Sequence, residues 1–225
     1  MQTVVYVLGL DEATAVRAMT TALATICDVS GAAHLPAAVA ARIPLGEAVG
    51  AGRSVTLLRL EGFAPSVTHR KTALLAAMKP FGDLQVSDDA VSRNFWRAIR
   101  DVTPFAATRG TADRPVWRVV TAPAKGAELA HAITAQVPAE VLYDWAGGLL
   151  WVMPEASEDA GAALIRGAVV ACGGQATLVR APAAVRASVN VFEPQDAGLA
   201  ALTRRVKQGF DPKGVLNPGR MWAGV

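Results

Sequence analysis

Metal-ligating and disulfide-forming residues are scarce in this sequence. Its 225 residues include two cysteines, Cys27 and Cys172, and three histidines, His34, His69 and His131. The cysteines form no C-x-x-C motif and cannot build a disulfide framework, and the scattered histidines give no metal-ligand spacing. These absences argue against a zinc site, a dithiol redox centre and a small disulfide-stabilised fold.

Long apolar runs and dense basic tracts are absent as well. No apolar run approaches the roughly 20 residues that a membrane span requires, and residues 1–14 lack the positive n-region of a signal peptide. The formal net charge is only +3, and the densest basic cluster is Arg204, Arg205 and Lys207 on one predicted helix. Such a sparse footprint is typical of a solvated helix face and not of nucleic-acid binding. We expect a cytoplasmic chain with no membrane span and no nucleic-acid partner.

Short apolar runs and helical patterns follow one another in the same order twice. In residues 1–86 we predict strands at 4–8, 26–29, 54–61 and 84–86, helices after Asp11 and Ser66, and an irregular stretch over 30–52 with room for one helical turn at 36–42. In residues 115–180 we predict strands at 116–121, 141–144, 149–153 and 176–179, with helices at 123–136 and after Ser157. A polar helical linker, residues 87–100, and a loop over 103–114 join the two units. The β-α-β-β-α-β order therefore occurs twice.

This order is that of the ferredoxin-like arrangement, an antiparallel sheet with both helices on one face. Two such units side by side predict an α+β fold with one sheet of about eight strands and its helices on one face. The other face would then be free to receive a ligand or a neighbouring domain. A C-terminal helix begins after Asp196, carries the apolar stripe Leu199, Leu202 and Val206, and ends at Gly209.

The tail after this helix is dense in turn formers. Residues 210–221 read FDPKGVLNPGRM, in which Asp-Pro-x-Gly and Asn-Pro-Gly each favour a rigid turn. Two rigid turns specify a path for the chain, so the segment is not a flexible end. On turn chemistry alone, we interpret it as a C-terminal tail docked against the body of the protein.

The same tail resembles the terminal signature of the FAD-linked oxidases of the vanillyl-alcohol-oxidase type. Other segments resemble the FAD-binding subunits of bacterial glycolate oxidases within that family: VSGAAHLP (29–36), LLRLEGFAPSV (57–67), FWRAIRDVTPF (95–105), VWRV (116–119), DWAGGLLW (144–151) and GGQATLVRAP (173–182). The resemblance covers essentially the whole chain. In this family an amino-terminal flavin domain precedes a cap domain that closes the substrate side of the isoalloxazine ring, and residues 1–225 resemble the cap domain alone.

The resemblance implies FAD as the cofactor, although most of its binding domain has no counterpart in the sequence. No G-x-G-x-x-G motif is present, and the nearest candidates, Gly50-Ala51-Gly52 and Gly173-Gly174, are better interpreted as turns. The H-x-x-G-D-G-N metal motif of related hydroxy-acid dehydrogenases is also missing. A supporting or electron-relaying flavoprotein role fits this pattern better than metal-assisted binding of the hydroxy acid.

The implied activity is a contribution to the flavin-dependent oxidation of glycolate, a 2-hydroxy acid, to glyoxylate. The implied partners are the other glycolate oxidase subunits, namely a flavin-binding catalytic subunit and an iron–sulfur subunit, in the cytoplasm or peripherally at the inner membrane. The chain alone is expected to be inactive. The alternative is a non-catalytic ferredoxin-like assembly or binding module that holds no flavin, since a fold does not fix a function.

Three residues of the tail are candidates for cofactor binding. By the resemblance, Asn217, Gly219 and Arg220 would lie near the flavin once a flavin domain is present. An amide can hydrogen-bond ring heteroatoms, and a guanidinium can pair with phosphate or carboxylate. The alternative is that Arg220 anchors the tail to the sheet.

Three further arginines are candidates for substrate binding. Arg59, Arg118 and Arg180 lie on or beside predicted strands, and cations on a shared surface could hold the carboxylate of a small hydroxy acid. The alternative is salt bridging to Glu61, to Asp144 or to another subunit.

Aromatic and proton-transfer candidates are less specific. Four of the five tryptophans could form an aromatic wall or pack in a core or interface; they are Trp96, Trp117, Trp145 and Trp151. No Ser-His-Asp, Cys-His or paired-carboxylate constellation identifies a catalytic residue. His69 lies in mid-helix beside two basic residues, a solvated setting that suits a proton-abstracting base poorly.

Overall fold

The computed structural model describes residues 1–43, 52–108 and 110–222. Within these ranges the strands are β1 Gln2–Leu8, β2 Gly31–Leu35, β3 Val55–Glu61, β4 Leu84–Ser87, β5 Val116–Val120, β6 Ala139–Asp144, β7 Leu149–Pro154 and β8 Gln175–Arg180. The α-helices are α1 Glu12–Leu23, α2 Ala37–Ala40, α3 Ala64–Met78, α4 Asp89–Arg100, α5 Gly126–Thr134, α6 Ala162–Cys172, α7 Ala183–Ser188 and α8 Ala197–Phe210.

The eight strands form one antiparallel sheet in the order β4-β1-β3-β2-β6-β7-β5-β8. Each half of the sheet comes from one half of the chain, and each half has the predicted β-α-β-β-α-β order apart from the extra helix α2. The halves meet at β2 and β6, where His34 lies opposite Tyr143. The predicted α+β fold class with a single antiparallel sheet is therefore confirmed.

The larger apolar core fills the space between one sheet face and helices α1, α3, α5 and α6. Strand residues such as Val5, Leu60 and Trp117 point into it, because alternate side chains of a strand face the same side. Trp117 is fully buried, and its indole N–H donates to the carbonyl oxygen of Ala160 at 2.9 Å. The indole is thus buried without losing its hydrogen bond.

Helices lie on both faces of the sheet, whereas the sequence analysis placed them on one. Helix α4, interpreted from the sequence as a polar linker, packs Phe95, Trp96 and Ile99 against the second face, next to α2. These three residues recur at helical spacing and form an apolar stripe between exposed arginines. The charged outer side of the helix obscured this stripe, and only part of the second face remains open.

The second strand begins later in the chain than predicted. The apolar residues 26–29 are not part of a strand, and β2 instead comprises Gly31–Leu35, inside the stretch predicted to be irregular. Glycine and alanine have little intrinsic strand propensity, so β2 forms because it pairs with β3 on one side and β6 on the other. The rest of the predicted irregular stretch lies partly outside the described residues.

A tight turn between β6 and β7 has an unusual backbone. The φ angles of Trp145, Ala146 and Gly147 are +50°, +58° and +98°, which is rare for residues with side chains. The turn is packed against the start of α5, where an added Cβ at Gly126 would lie 2.2 Å from the carbonyl oxygen of Gly147. Because the neighbouring backbone fixes the turn, it can hold this conformation.

Two classes of feature are missing from the described ranges. None of their helices combines the length and the apolar character needed to span a membrane. Their histidine, cysteine and acidic side chains do not come together in any group that could hold a metal ion.

Candidate functional site

An open cleft of about 640 Å³ lies on the part of the second sheet face that α4 leaves uncovered. Its lining is rich in guanidinium and indole groups: Arg59, Arg93, Arg97, Arg100, Arg118, Trp96, Trp145 and Trp151. Asp144 is the one carboxylate among the described residues that line it. A concave surface with convergent cations is suited to a small anionic ligand.

Strands form the floor of the cleft and α4 forms one wall. Arg59 on β3 and Arg118 on β5 occupy second-face positions of their strands, in step with the buried residues Leu57 and Val116. On α4 the three arginines are spaced i, i+4 and i+7, so they share one side of the helix. Two of the three predicted substrate arginines, Arg59 and Arg118, therefore meet in one cleft.

Arg59 is held in place by several contacts. Its guanidinium donates to the Ser30 hydroxyl at 3.0 Å and to the Ser30 carbonyl at 2.9 Å, and it lies 3.5 Å from the Glu61 carboxylate. It also stacks 4.8 Å from the ring centroid of Trp96. That indole approaches Gly31 so closely that an added Cβ there would be 3.1 Å from it. The ion pair with Glu61 reduces the charge that Arg59 offers to a ligand.

Two of the α4 arginines are also paired with carboxylates. Arg93 donates to Asp89 at 2.6 Å, and Arg100 donates to Asp101 at 2.7 Å. These hydrogen bonds hold the pKa of each aspartate below its usual value. Both pairs are exposed, so solvent screens them and they contribute little to stability.

Unlike the other three arginines of the cleft, Arg118 and Arg97 form no ion pair with a described residue. The Arg118 guanidinium lies 5.3 Å from the ring centroid of Trp145, in a cation–π contact that leaves its N–H groups available. Arg97 donates to the Asn94 amide oxygen at 3.3 Å, a neutral partner. These two cations are the best placed to bind an anion entering the cleft.

Asp144 ends β6 at the edge of the strained turn. One carboxylate oxygen accepts the backbone N–H of Trp145 at 2.7 Å, and no other hydrogen bond joins the side chain to a described residue. Burial raises the pKa of Asp144 above its usual value, while the Trp145 N–H and the charge of Arg59 oppose that shift. A half-buried carboxylate therefore lines the cleft among arginines, and its second oxygen has no hydrogen bond to a described residue.

Arg180, the third predicted substrate arginine, lies elsewhere. Its guanidinium donates to the carbonyl oxygens of Phe105 at 2.5 Å, Thr111 at 3.1 Å and Arg114 at 3.2 Å. Those contacts tie the segment before β5 to the end of β8. The structure gives Arg180 a scaffold position and does not bring it to the cleft.

The C-terminal tail is organised around Asp211. Its carboxylate accepts the backbone N–H groups of Val215 at 3.1 Å and Leu216 at 2.8 Å, together with the Lys207 amine at 2.7 Å. The Lys207 contact and the two backbone hydrogen bonds lower the pKa of Asp211 to about 2. The first predicted turn is thus a charge-assisted structure and not a flexible end.

The predicted flavin-contacting residues follow this turn. Asn217 has a φ of +48° and Gly219 a φ of +67°, and the Asn217 carbonyl accepts the backbone N–H of Arg220 at 3.2 Å. All three residues are exposed, and their side chains make no hydrogen bond with a described residue. The tail docks instead through Trp222, whose indole N–H donates to the Glu193 carbonyl at 3.1 Å. Arg220 is therefore not the anchor of the tail.

Comparison with known proteins bears directly on the tail. A family model described as "FAD linked oxidases, C-terminal domain" matches residues 191–221, which comprise α8, the tail and the segment before them. The curated glycolate oxidase subunit GlcE of Escherichia coli (strain K12) is 32% identical over 167 residues, covering 74% of this chain and 38% of the relative. The chain resembles the FAD-linked oxidases. The resemblance predicted from the sequence is confirmed.

Two solved structures share the fold of this chain. They are 4-ethylphenol oxidase from Gulosibacter chungangensis in complex with isoeugenol (TM-score 0.59, 15% identity, 99% of this chain and 54% of the other) and p-cresol methylhydroxylase with substrate bound (TM-score 0.60, 14% identity, 100% and 53%). At these identities the likeness shows the fold. The chain spans about two fifths of the curated relative and about half of each solved structure.

FAD is the cofactor that this family resemblance implies, and two groups of described residues can be tested against it. Asn217 and Arg220 present an exposed amide and guanidinium that suit ring heteroatoms or phosphate. The Gly173-Gly174 pair is a turn in which an added Cβ at Gly174 would meet the Val120 carbonyl at 2.4 Å, so it offers no open phosphate cradle. Gly50 and Ala51 lie outside the described residues.

Sequence reasoning missed the α4 arginines and Asp144 as parts of one site. The arginines were assigned to a linker, and Asp144 was considered only as a salt-bridge partner. Their signal was the i, i+4, i+7 spacing of Arg93, Arg97 and Arg100, on a helix that also carries the buried residues Phe95 and Ile99. Of the four tryptophans considered as an aromatic wall, three line the cleft and Trp117 is in the core.

Proposed function

We propose that this chain forms the carboxylate-binding wall of a flavin-dependent oxidase of a small 2-hydroxy acid, with glycolate as the substrate. The observation that carries the proposal is the cleft, in which Arg118 and Arg97 have no carboxylate partner among the described residues. A guanidinium binds a carboxylate through two parallel hydrogen bonds, which fixes the orientation as well as the position of the ligand. The relationship to GlcE supports glycolate as the acid.

The chain's residues would orient the acid, and the cofactor would take its electrons. When bound, the flavin supplies the oxidising power that amino-acid side chains lack. Trp145, Trp151 and Trp96 would supply apolar surface beside the bound acid. Asn217 and Arg220 would contribute to holding FAD. Their side chains are exposed and make no hydrogen bond with a described residue.

We further propose that the activity requires partners, namely a flavin-binding catalytic subunit and an iron–sulfur subunit. Support comes from the relative GlcE, which is a subunit of glycolate oxidase. Support also comes from α8, none of whose residues is buried. Its predicted apolar stripe is exposed, with Leu199, Leu202 and Val206 at 44%, 52% and 53%. An exposed stripe of this kind is typical of an interface.

Replacing Arg118 with glutamine tests the carboxylate site. We expect glycolate to bind Arg118→Gln about 10- to 100-fold more weakly than the wild-type chain, because a hydrogen bond to a charged group is worth about 1.5–3 kcal/mol. Isothermal titration calorimetry measures the loss. Arg17→Gln, on the exposed side of α1, removes the same charge away from the cleft and should leave glycolate binding unchanged. Equal affinity in Arg118→Gln and wild type would count against the proposed site.

The second candidate function is a non-catalytic assembly module, which the exposed stripe of α8 favours on its own. The two functions differ in what the chain does with FAD. A visible absorption spectrum taken after mixing with FAD and gel filtration measures retention directly. We expect little flavin to be retained by the chain alone, and flavin retention to appear when the partner subunits are present. A complex that assembles through α8 yet binds neither glycolate nor flavin would establish the assembly module instead.

A further inference from the structure

We propose that Asp144 accepts the hydroxyl proton of the acid that Arg118 holds. This inference rests on the proposed function, because it assigns a role at the same cleft. In the reaction the O–H bond of the 2-hydroxy acid breaks and its proton passes to an Asp144 carboxylate oxygen. With a bound flavin supplying the two-electron oxidant, the hydrogen on the same carbon would leave with its electron pair and the carbon–oxygen bond would become a carbonyl.

The position of Asp144 carries the proposal. Among the described residues that line the cleft it is the one carboxylate, and the other ionisable side chains there are arginines. One oxygen is engaged by the Trp145 N–H, which leaves the second oxygen for a ligand. The same residue, Trp145, stacks on Arg118, so the proton acceptor and the carboxylate-binding guanidinium are placed by one turn. A hydroxy acid held by its carboxylate would bring its adjacent hydroxyl toward Asp144.

The rigidity of the turn supports the assignment. Trp145, Ala146 and Gly147 keep positive φ angles only because the backbone at Pro123 and Gly126 packs against them; an added Cβ at Gly147 would lie 2.7 Å from the Pro123 carbonyl. Strained backbone of this kind is concentrated at functional sites. A proton acceptor fixed before the substrate arrives needs no rearrangement during the reaction.

The charged groups near Asp144 and the burial of its side chain together determine how readily it accepts a proton. Arg59 from β3 favours the ionised carboxylate, and Glu61 partly offsets it. Arg118 from β5 and Arg97 from α4 also line the cleft, whereas Arg93 and Arg100 of α4 are paired with Asp89 and Asp101. Burial works in the other direction and raises the pKa of Asp144. Burial outweighs the effect of Arg59, so Asp144 is a stronger base than an exposed aspartate.

Oxalate is the probe that tests the assignment on the chain itself, because its oxygens only accept hydrogen bonds. A protonated Asp144 can donate to oxalate, whereas an ionised Asp144 repels it, so oxalate binding should take up as much as about one proton. Glycolate, whose hydroxyl donates to the ionised carboxylate, should take up fewer protons. Calorimetric titration in buffers of different ionisation enthalpy measures the uptake. This readout is independent of turnover.

Asp144→Asn is the decisive variant, because its amide oxygen can still accept the Trp145 N–H and preserve the turn. We expect it to bind oxalate with no proton uptake, since the amide N–H donates to oxalate at any pH. The control Glu128→Gln, on the exposed side of α5, should behave as wild type. Proton uptake that persists in Asp144→Asn, or oxalate binding to wild type without uptake, overturns the role of Asp144 and leaves the carboxylate site intact. Failure of the wild-type chain to bind either acid overturns the cleft as an anion site and so removes both proposals.

Turnover by the assembled enzyme provides a second test of the role of Asp144. A positioned general base contributes about 100- to 10,000-fold to the rate, so Asp144→Asn should lower kcat for glycolate by a factor in that range with little change in KM. Arg118→Gln should instead raise KM. A kcat within about threefold of wild type for Asp144→Asn would contradict the proposal.

Discussion

Gly126→Ala should destabilise the protein by about 3 kcal/mol or more and abolish anion binding in the cleft. The added methyl group would lie 2.2 Å from the carbonyl oxygen of Gly147 and 2.9 Å from its carbonyl carbon, distances at which backbone must move. The backbone that moves belongs to the turn carrying Asp144 and Trp145. One methyl group outside the cleft is therefore expected to disturb both the fold and the site. Urea denaturation measures the first effect and oxalate titration the second.

Gly167→Ala is the matched control for this experiment. Gly167 lies on the exposed side of α6, where an added Cβ meets nothing within 4 Å. Alanine there should stabilise the protein by about 0.5–1 kcal/mol, because glycine is unfavourable within a helix. Wild-type stability and wild-type oxalate binding in Gly126→Ala would show that the turn is less tightly packed than described.

Most of the sheet could be predicted from sequence because its strands carry their own pattern. β3 and β7 are runs of branched and large apolar residues, and the structure places both close to the predicted positions. β2 could not be predicted, since Gly31-Ala32-Ala33 has weak strand propensity and becomes a strand through its two neighbours. Its short side chains have a use: Gly31 leaves room for the Trp96 indole beside Arg59.

For a similar physical reason, only part of the site could be predicted from the sequence. Arg59 and Arg118 could be proposed from sequence because each lies on or beside a predicted strand. Arg180 carried the same pattern, yet a register irregularity where β5 and β8 pair, between Val116 and Trp117, accompanies its contacts with the preceding loop. Whether α4 covers the sheet depends on packing between distant segments, so its arginines could not be assigned to the cleft. The roles of Asn217, Gly219 and Arg220 stay predictions.

Protonation of His34 in acid should destabilise the seam of the sheet, by which we mean the pairing of β2 with β6 where its two halves meet. This side chain is fully buried where β2 meets β6, its Nδ1 lies 2.9 Å from the Thr56 hydroxyl, and its Nε2 has no partner among the described residues. Burial lowers the pKa of His34 from 6.5 to about 4, with a small opposing effect of Asp11. The folded protein therefore favours the neutral imidazole.

The sign of the pH effect follows from which state binds the proton first. Above pH 6.5 the imidazole is neutral in both states, and His34 has no effect on the pH dependence of stability. Between pH 6.5 and about 4 the unfolded chain takes up a proton that the folded chain does not. The free energy of unfolding should fall by about 1.4 kcal/mol per pH unit, for a total loss of about 3 kcal/mol, and this contribution levels off at lower pH.

His34→Gln isolates this effect from that of the carboxylates, which titrate in both proteins. We expect the variant to be less stable than wild type at neutral pH, because glutamine packs less well beside the Tyr143 ring, which lies 5.6 Å from the imidazole. Its stability should nevertheless fall less steeply between pH 6.5 and about 4, so the two curves converge in acid. His131→Gln, an exposed position on α5, controls for the loss of a histidine as such. Parallel curves for wild type and His34→Gln would mean that water reaches the imidazole and that the seam opens in the native state.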